Sequence, residues 1–365
     1  MGKSLVNKNI VKITPYIPGK PIEEVEREFK IRKIIKLASN ENPLGTSPLV
    51  LKAIKDNLSN IHRYPDASGF YLKNKIAKVL KLKPYNIVLG NGSDELIDVI
   101  IKTFVGQNEN IITSEVTFLE YEIIARINNR RIIKVPLSNF KYDLPRIRKK
   151  VNPQTKLIFI ANPNNPTGTY VNKDELDDFL NDLPKKVIVV LDEAYDLFVD
   201  VKDFPCGLDY LESKNVIILK TFSKAYGLAG LRLGYAVAQK EFTSYMEKAR
   251  QPFNVNYLAQ IAGISALEDK EFLKRTRETV LEGKYYLYEA LDKLKLSYIP
   301  SVANFITIDL KRDALRISKE MLKYGIIVRD LKQYGLNNFI RVTVGKKKEN
   351  QRFIQILKKV LQGVR

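Results

Sequence analysis

Short apolar runs, each bounded by polar or turn-forming residues, recur from the N-terminal region to about residue 238. They are Ile34–Leu37, Asn86–Leu89, Asn110–Thr113, Arg131–Val135, Leu157–Ile160, Val187–Leu191, Val216–Leu219 and Gly234–Ala238. Runs of this length rich in Ile and Val predict buried strands. Segments of helical period lie between many of them, as at Glu95–Phe104 and Lys173–Asn181. That alternation predicts an α/β fold whose mainly parallel sheet is covered by helices on both faces. After about Asn254 the pattern changes. A long helical stretch from Tyr257 to about Leu294 precedes three strand-like runs, Asn304–Asp309, Gly325–Val328 and Phe339–Thr343, and a terminal helix. This part predicts a second, smaller α+β domain.

Composition narrows the classes. The chain has 365 residues, 45% hydrophobic and 28% charged, which is ordinary for a globular protein with a sizeable core. Its one cysteine, Cys206, excludes an intramolecular disulfide framework and fits a reducing cytosol. The residues after Met1 are polar and lack an apolar signal core. No run approaches the roughly 20 apolar residues of a membrane span. These features predict a cytoplasmic protein without a membrane partner. The net charge of +20 comes from lysines and arginines scattered among acids, as in Glu23–Glu28. Basic and aromatic residues form no compact motif, so nucleic acid is not an expected partner.

Candidate chemistry sits where predicted strands end. Val216–Leu219 leads into Thr221-Phe-Ser-Lys224-Ala-Tyr-Gly-Leu-Ala-Gly-Leu-Arg232. A lysine at the mouth of a buried strand is partly desolvated, which frees its amine as a nucleophile. Hydroxyls before it and an arginine after it suit a phosphate dianion. Together they fit pyridoxal phosphate, whose aldehyde needs an amine and whose tail needs an anchor. Asn86–Glu95 reads as strand, glycine turn and helix start, so the amides of Gly92, Ser93 and Asp94 could face an anion. The same residues also suit a plain N-cap, with Ser93 or Asp94 capping a helix that begins at Glu95. Ile160–Gly168 carries two Asn-Pro steps that force extended or turn geometry and can present Asn165 to a ligand. Val187–Tyr195 puts Asp192 at the end of an apolar strand, where a carboxylate needs a cationic or donor partner. There is no Walker A, no GxGxxG, no GxSxG elbow and no Cys/His metal cluster, and the single histidine is His62.

The order Asn165, Asp192, Tyr195, Lys224, Arg232 resembles the fold type I pyridoxal-phosphate enzymes. Along nearly its whole length the chain is similar to the histidinol-phosphate aminotransferase family. The motifs are Thr14–Lys20, Leu37–Gly45, Arg63–Asp66, Gly90–Glu95, Asn162–Gly168, Asp192–Tyr195, Thr221–Lys224, Arg250–Asn256, Ala303–Phe305, Gly325–Arg329 and Ile340–Gly345. The resemblance implies a large domain, 36–255, with a seven-stranded mainly parallel sheet between helices. It also implies an N-terminal arm and small-domain segment, 1–35, and a small C-terminal domain, 256–365.

It further implies roles. Lys224 is the Schiff-base lysine and proton carrier, Asp192 holds the pyridine nitrogen, and Tyr195 and Asn165 bind the phenolic oxygen. Gly92, Ser93, Asp94, Thr221, Ser223 and Arg232 hold the phosphate. Phe118 stacks on the ring where the family more often has tyrosine. Tyr64 reaches the neighbouring subunit's phosphate, which makes the unit a homodimer. Arg341 takes the α-carboxylate of glutamate or the phosphate of histidinol phosphate, with Arg329 and Tyr16 on the distal side. The implied reaction, a step of histidine biosynthesis, is transamination of L-histidinol phosphate with 2-oxoglutarate, giving imidazole acetol phosphate and L-glutamate. An aromatic amino-acid aminotransferase on the same scaffold is the alternative.

Overall fold

The computed structural model describes residues 5–11 and 13–363; Met1–Ser4, the start of the polar segment expected to lack a signal core, lie outside them. Thirteen strands occur among the described residues. They are β1 (Ile35–Lys36), β2 (Ile87–Gly90), β3 (Asn110–Ser114), β4 (Arg131–Val135), β5 (Thr155–Ala161), β6 (Ile188–Asp192), β7 (Val216–Thr221), β8 (Gly234–Ala238), β9 (Ser297–Ile299), β10 (Phe305–Asp309), β11 (Ile326–Ile327), β12 (Arg329–Leu331) and β13 (Leu336–Thr343).

Strands β2 to β8 form one seven-stranded sheet in the order β2-β8-β7-β6-β5-β3-β4. Strands β3 to β7 run parallel, whereas β8 is antiparallel to both of its neighbours. β6 is buried throughout, as are Leu157–Ala161 of β5 and Val216–Leu219 of β7. Covering helices on both faces explain why these strands read as continuous apolar runs with no alternation. The first predicted run behaves differently: β1 pairs with β11, outside the main sheet. That pairing ties the N-terminal segment to the C-terminal unit.

The C-terminal unit holds an antiparallel sheet in the order β12-β13-β10-β9. The expected long helix is two helices, Tyr257–Ala266 and Lys270–Lys293. Asp269 ends the continuity, because its side chain accepts from the Phe272 amide and caps the second helix. Apolar periodicity runs across such a break without recording it. The run Gly325–Val328 holds only the short β11, with β12 starting just after it at Arg329, and the edge strand β9 is too short to show a period. Two cores meet at one seam, where Tyr195, Phe198 and Ala225 pack with Phe305 and Val280. No helix among the described residues is long and apolar enough to cross a membrane.

Candidate active site

A cavity of about 260 Å³ opens at this seam, at the carboxyl ends of β5, β6 and β7. Ligands collect at such ends in open α/β sheets. Tyr16, Ser93, Asp94, Phe118, Asn165, Asp192, Tyr195, Thr221, Ser223, Lys224, Arg232 and Arg341 all line it. A larger cavity, about 910 Å³ between Tyr142, Lys284 and Tyr298, contains none of the expected residues.

Asp192 ends β6 inside the protein, where burial pushes its carboxyl up to about 6. Two donors oppose that rise. Tyr121 donates its hydroxyl to Oδ2 at 2.6 Å, and the Ala194 amide donates to Oδ1 at 3.1 Å. Tyr195 follows on the turn after β6. Its hydroxyl accepts from Asn40 Nδ2 at 2.9 Å, which leaves the phenol's own proton free to donate. Asn40 is itself fixed by Thr343 and Asn304 and sits at φ 54.

The helix after β2 spans Gly92–Phe104, three residues longer at its start than a helix from Glu95. Neither Ser93 nor Asp94 is its cap; Asn91 is, and no side-chain cap bond is made there. Glu95 instead accepts from the Asn91 amide. The amides of Gly92, Ser93 and Asp94 are therefore the first turn's donors, which have no intrahelical partner. Arg232 reaches over this turn, donating to Asp94 Oδ2 at 2.9 Å and to Ser223 Oγ at 3.4 Å. A Cβ on Gly92, at φ +81, would lie 2.5 Å from Arg232 Nη2. Only glycine leaves the guanidinium room over the amides. Thr221 Oγ1 accepts from the Ser223 amide and orients the turn that carries both hydroxyls.

Lys224 rises from the same turn. Its Nζ donates to the Ser39 carbonyl at 3.2 Å, and burial together with the Arg341 charge lowers its pKa to about 8. Arg341 on β13 is buried, donates to Asn165 Oδ1 and to the Ala38 carbonyl, and lies over the Phe305 ring. Asn165 is presented by a turn whose two Asn–Pro bonds are both cis. Asn162 and Asn164 spend their side chains within that turn region, on Val171, Val116 and Thr167. Arg329 on β12 stands directly opposite Arg341 in the strand pairing. It is 5% exposed, donates to the Ile17 carbonyl and to Gln333 Oε1, and its guanidinium lies 5.1 Å from the Tyr16 ring. Among the described residues no carboxylate pairs with either arginine, and the Nε of each is buried without a partner. Like charges opposite each other across a strand pair repel.

Phe118 lines the cavity edge-on to Tyr121. Arg329 stands behind Tyr16 and is not itself part of the cavity wall. Tyr64 is elsewhere: it is 83% exposed, against Phe253, and does not line the cavity of its own chain.

A sequence profile described as "Aminotransferase class I and II" matches residues 32–357. The chain belongs to that aminotransferase family. A histidinol-phosphate aminotransferase of Moorella thermoacetica is 45% identical over 354 residues, covering 96% of this chain and 92% of the relative. One from Caldicellulosiruptor saccharolyticus is 45% identical over 350 residues, covering 96% and 98%. A crystal structure of histidinol-phosphate aminotransferase from Sinorhizobium meliloti in complex with pyridoxal-5′-phosphate superposes with a TM-score of 0.91 at 27% identity, covering 100% of this chain and 99% of that one. Two further residues hold the site's side chains, and no motif signals either contact. Tyr121 carries no motif because its hydroxyl sits on a helix of ordinary apolar period, Glu120–Ile127. Asn40 lies within the Leu37–Gly45 motif, but its bond to Tyr195 spans 155 positions.

Proposed function

We propose that the protein transfers the amine of L-histidinol phosphate to 2-oxoglutarate, with pyridoxal phosphate held in the cavity described above. The observation that carries the substrate reading is buried Arg341 on the cavity wall, with Arg329 opposite it on the next strand behind Tyr16 and no carboxylate partner for either among the described residues. Both substrates bring an anion to such a pair, a phosphate in one half-reaction and a carboxylate in the other, so one site serves them in turn.

The residues present fit the cofactor. Free amides at a helix start, two hydroxyls and Arg232 converge as a phosphate cradle, Asp192 offers a carboxylate, and Lys224 offers an amine. Pyridoxal phosphate supplies, when bound, an aldehyde for amine exchange and a ring that accepts the electrons released at the α-carbon. Asp192 would hold the pyridine nitrogen by charge-assisted hydrogen bonding. Tyr195, kept as a donor by Asn40, and Asn165 would bind the phenolic oxygen. Phe118 would cover one ring face. Lys224 Nζ would carry the proton between the substrate's α-carbon and C4′ of the cofactor. Its lowered pKa keeps a useful fraction of free amine near neutrality. Tyr16 and Arg329 would close the distal end and exclude water.

Tyr64 would complete the phosphate site of a second copy, making the working unit a homodimer. The deciding experiment supplies purified protein with L-histidinol phosphate and 2-oxoglutarate and follows glutamate formation. Turnover faster than with tyrosine or phenylalanine supports the reading. Absence of glutamate from histidinol phosphate, with turnover of the aromatic donors, overturns it in favour of an aromatic aminotransferase.

A further inference from the structure

We propose that Tyr121, which lines the cavity beside Phe118, is a positioning residue for Asp192, acting on the cofactor's ring nitrogen through that carboxylate. This rests on the cofactor reading above and deepens it. Tyr121 is fully buried, stacked on Phe159 with centroids 4.7 Å apart, and edge-on to Phe118 at 5.6 Å. Those two rings fix the phenol in one direction, and its hydroxyl lies 2.6 Å from Asp192 Oδ2. The Ala194 amide holds Oδ1. Each carboxylate oxygen thus has one donor, so the carboxylate plane cannot rotate in the cavity.

The donor's direction is fixed as well. Burial and the Asp192 charge raise the Tyr121 phenol well above its ordinary value, so it keeps its proton and can only donate to an ionised Asp192. The need for such a donor is plain from what surrounds the carboxylate. Asp94 and Glu193 raise Asp192's pKa, as burial does, and the neighbouring phenols Tyr142 and Tyr195 are uncharged. Lys224 and Arg341 face it across the cavity wall but make no bond to it. Without Tyr121, Asp192 would more readily take up a proton and meet a ring nitrogen as a neutral acid.

The test compares pyridoxal phosphate with its 1-deaza analogue, which has carbon at the ring-nitrogen position. Binding of each to cofactor-free protein is titrated by absorbance, for the unchanged chain, Tyr121→Phe, Asp192→Asn and the double variant. Phenylalanine keeps the stack on Phe159, and a thermal melt checks the fold. Tyr121→Phe should weaken pyridoxal phosphate roughly ten- to a hundredfold, the range for a hydrogen bond to a charged group. It should leave the deaza analogue nearly unchanged and add nothing in the Asp192→Asn background. Equal loss for both compounds, or no loss for either, overturns the proposal. If the unchanged chain binds neither compound, the cofactor reading itself fails.

Discussion

Lys224 Nζ has one hydrogen-bond acceptor, the Ser39 carbonyl, and a pKa lowered to about 8 by burial and Arg341. A lysine in water holds its proton to about pH 10.4, so this one loses it more than two orders of magnitude more readily. The rate at which pyridoxal phosphate joins the cofactor-free protein should therefore climb about tenfold per pH unit below 8 and level above it. Stopped-flow absorbance from pH 6 to 9 checks this, and a flat profile would deny Lys224 the amine's role. Lys224→Ala should abolish transamination while Arg232 and Asp192 still let the cofactor bind. Asp192 shows the opposite displacement. Its folded pKa is raised to about 6, so its contribution favours the fold below the unfolded value and is lost as pH rises through about 6. Asp192→Asn should then stabilise the cofactor-free protein at pH 7–8, by up to about 3 kcal/mol from the size of that rise, while weakening cofactor binding. Urea melts at pH 5 and pH 8 read the sign: the gain should be full at pH 8 and about half as large at pH 5.

At the scale of elements, the site depends on two placements, a helix start and a strand pairing. The helix Gly92–Phe104 begins with a glycine at φ +81 whose missing Cβ makes room for Arg232. Gly92→Ala combines a left-handed backbone position with that collision. It should cost on the order of 1–3 kcal/mol and shift the cofactor dissociation constant upward, measurable by melting and by absorbance titration. On the small sheet, the β12–β13 pairing puts Arg329 opposite Arg341. If Arg341 takes both anions in turn, as proposed, Arg341→Gln should raise KM for histidinol phosphate and for 2-oxoglutarate alike, each by at least about tenfold. Steady-state kinetics with each substrate varied separately decide this; a change in only one KM would divide the anion sites.

For the whole molecule, the exposed Tyr64 is the feature that a single chain leaves unused. The segment around it, residues 48–71, also exposes Leu49, Leu51, Leu58, Ile61, Phe70 and Tyr71. In the proposed homodimer these exposed apolar residues would be covered, and a two-fold pairing would present Tyr64 of each copy to the other. Mixing Lys224→Ala with Tyr64→Ala protein and allowing subunits to exchange should restore about a quarter of normal activity at limiting cofactor, since half the dimers would carry one intact site. No recovery on mixing would confine each site to its own chain. The basic surface, at net charge +20, would draw anionic substrates toward either site.

The main sheet was legible because strands covered on both faces must be apolar at every position, and runs such as Val187–Leu191 carry that demand locally. The candidate site side chains were legible for a related reason: lysine, aspartate and arginine at the ends of such strands need partners, which makes them conspicuous. What a chain position cannot express is a partner far away in sequence. The break at Asp269 follows from one cap, the departure of β1 from the main sheet follows from its pairing with β11, and the place of Arg232 over Gly92 follows from the missing Cβ there. Tyr121 on Asp192 and Asn40 on Tyr195 exist only after packing has brought distant segments to hydrogen-bond distance. Local chemistry named the groups that act; the tertiary structure alone chose which neighbours set their charge and direction, because those effects fall away within a few ångströms.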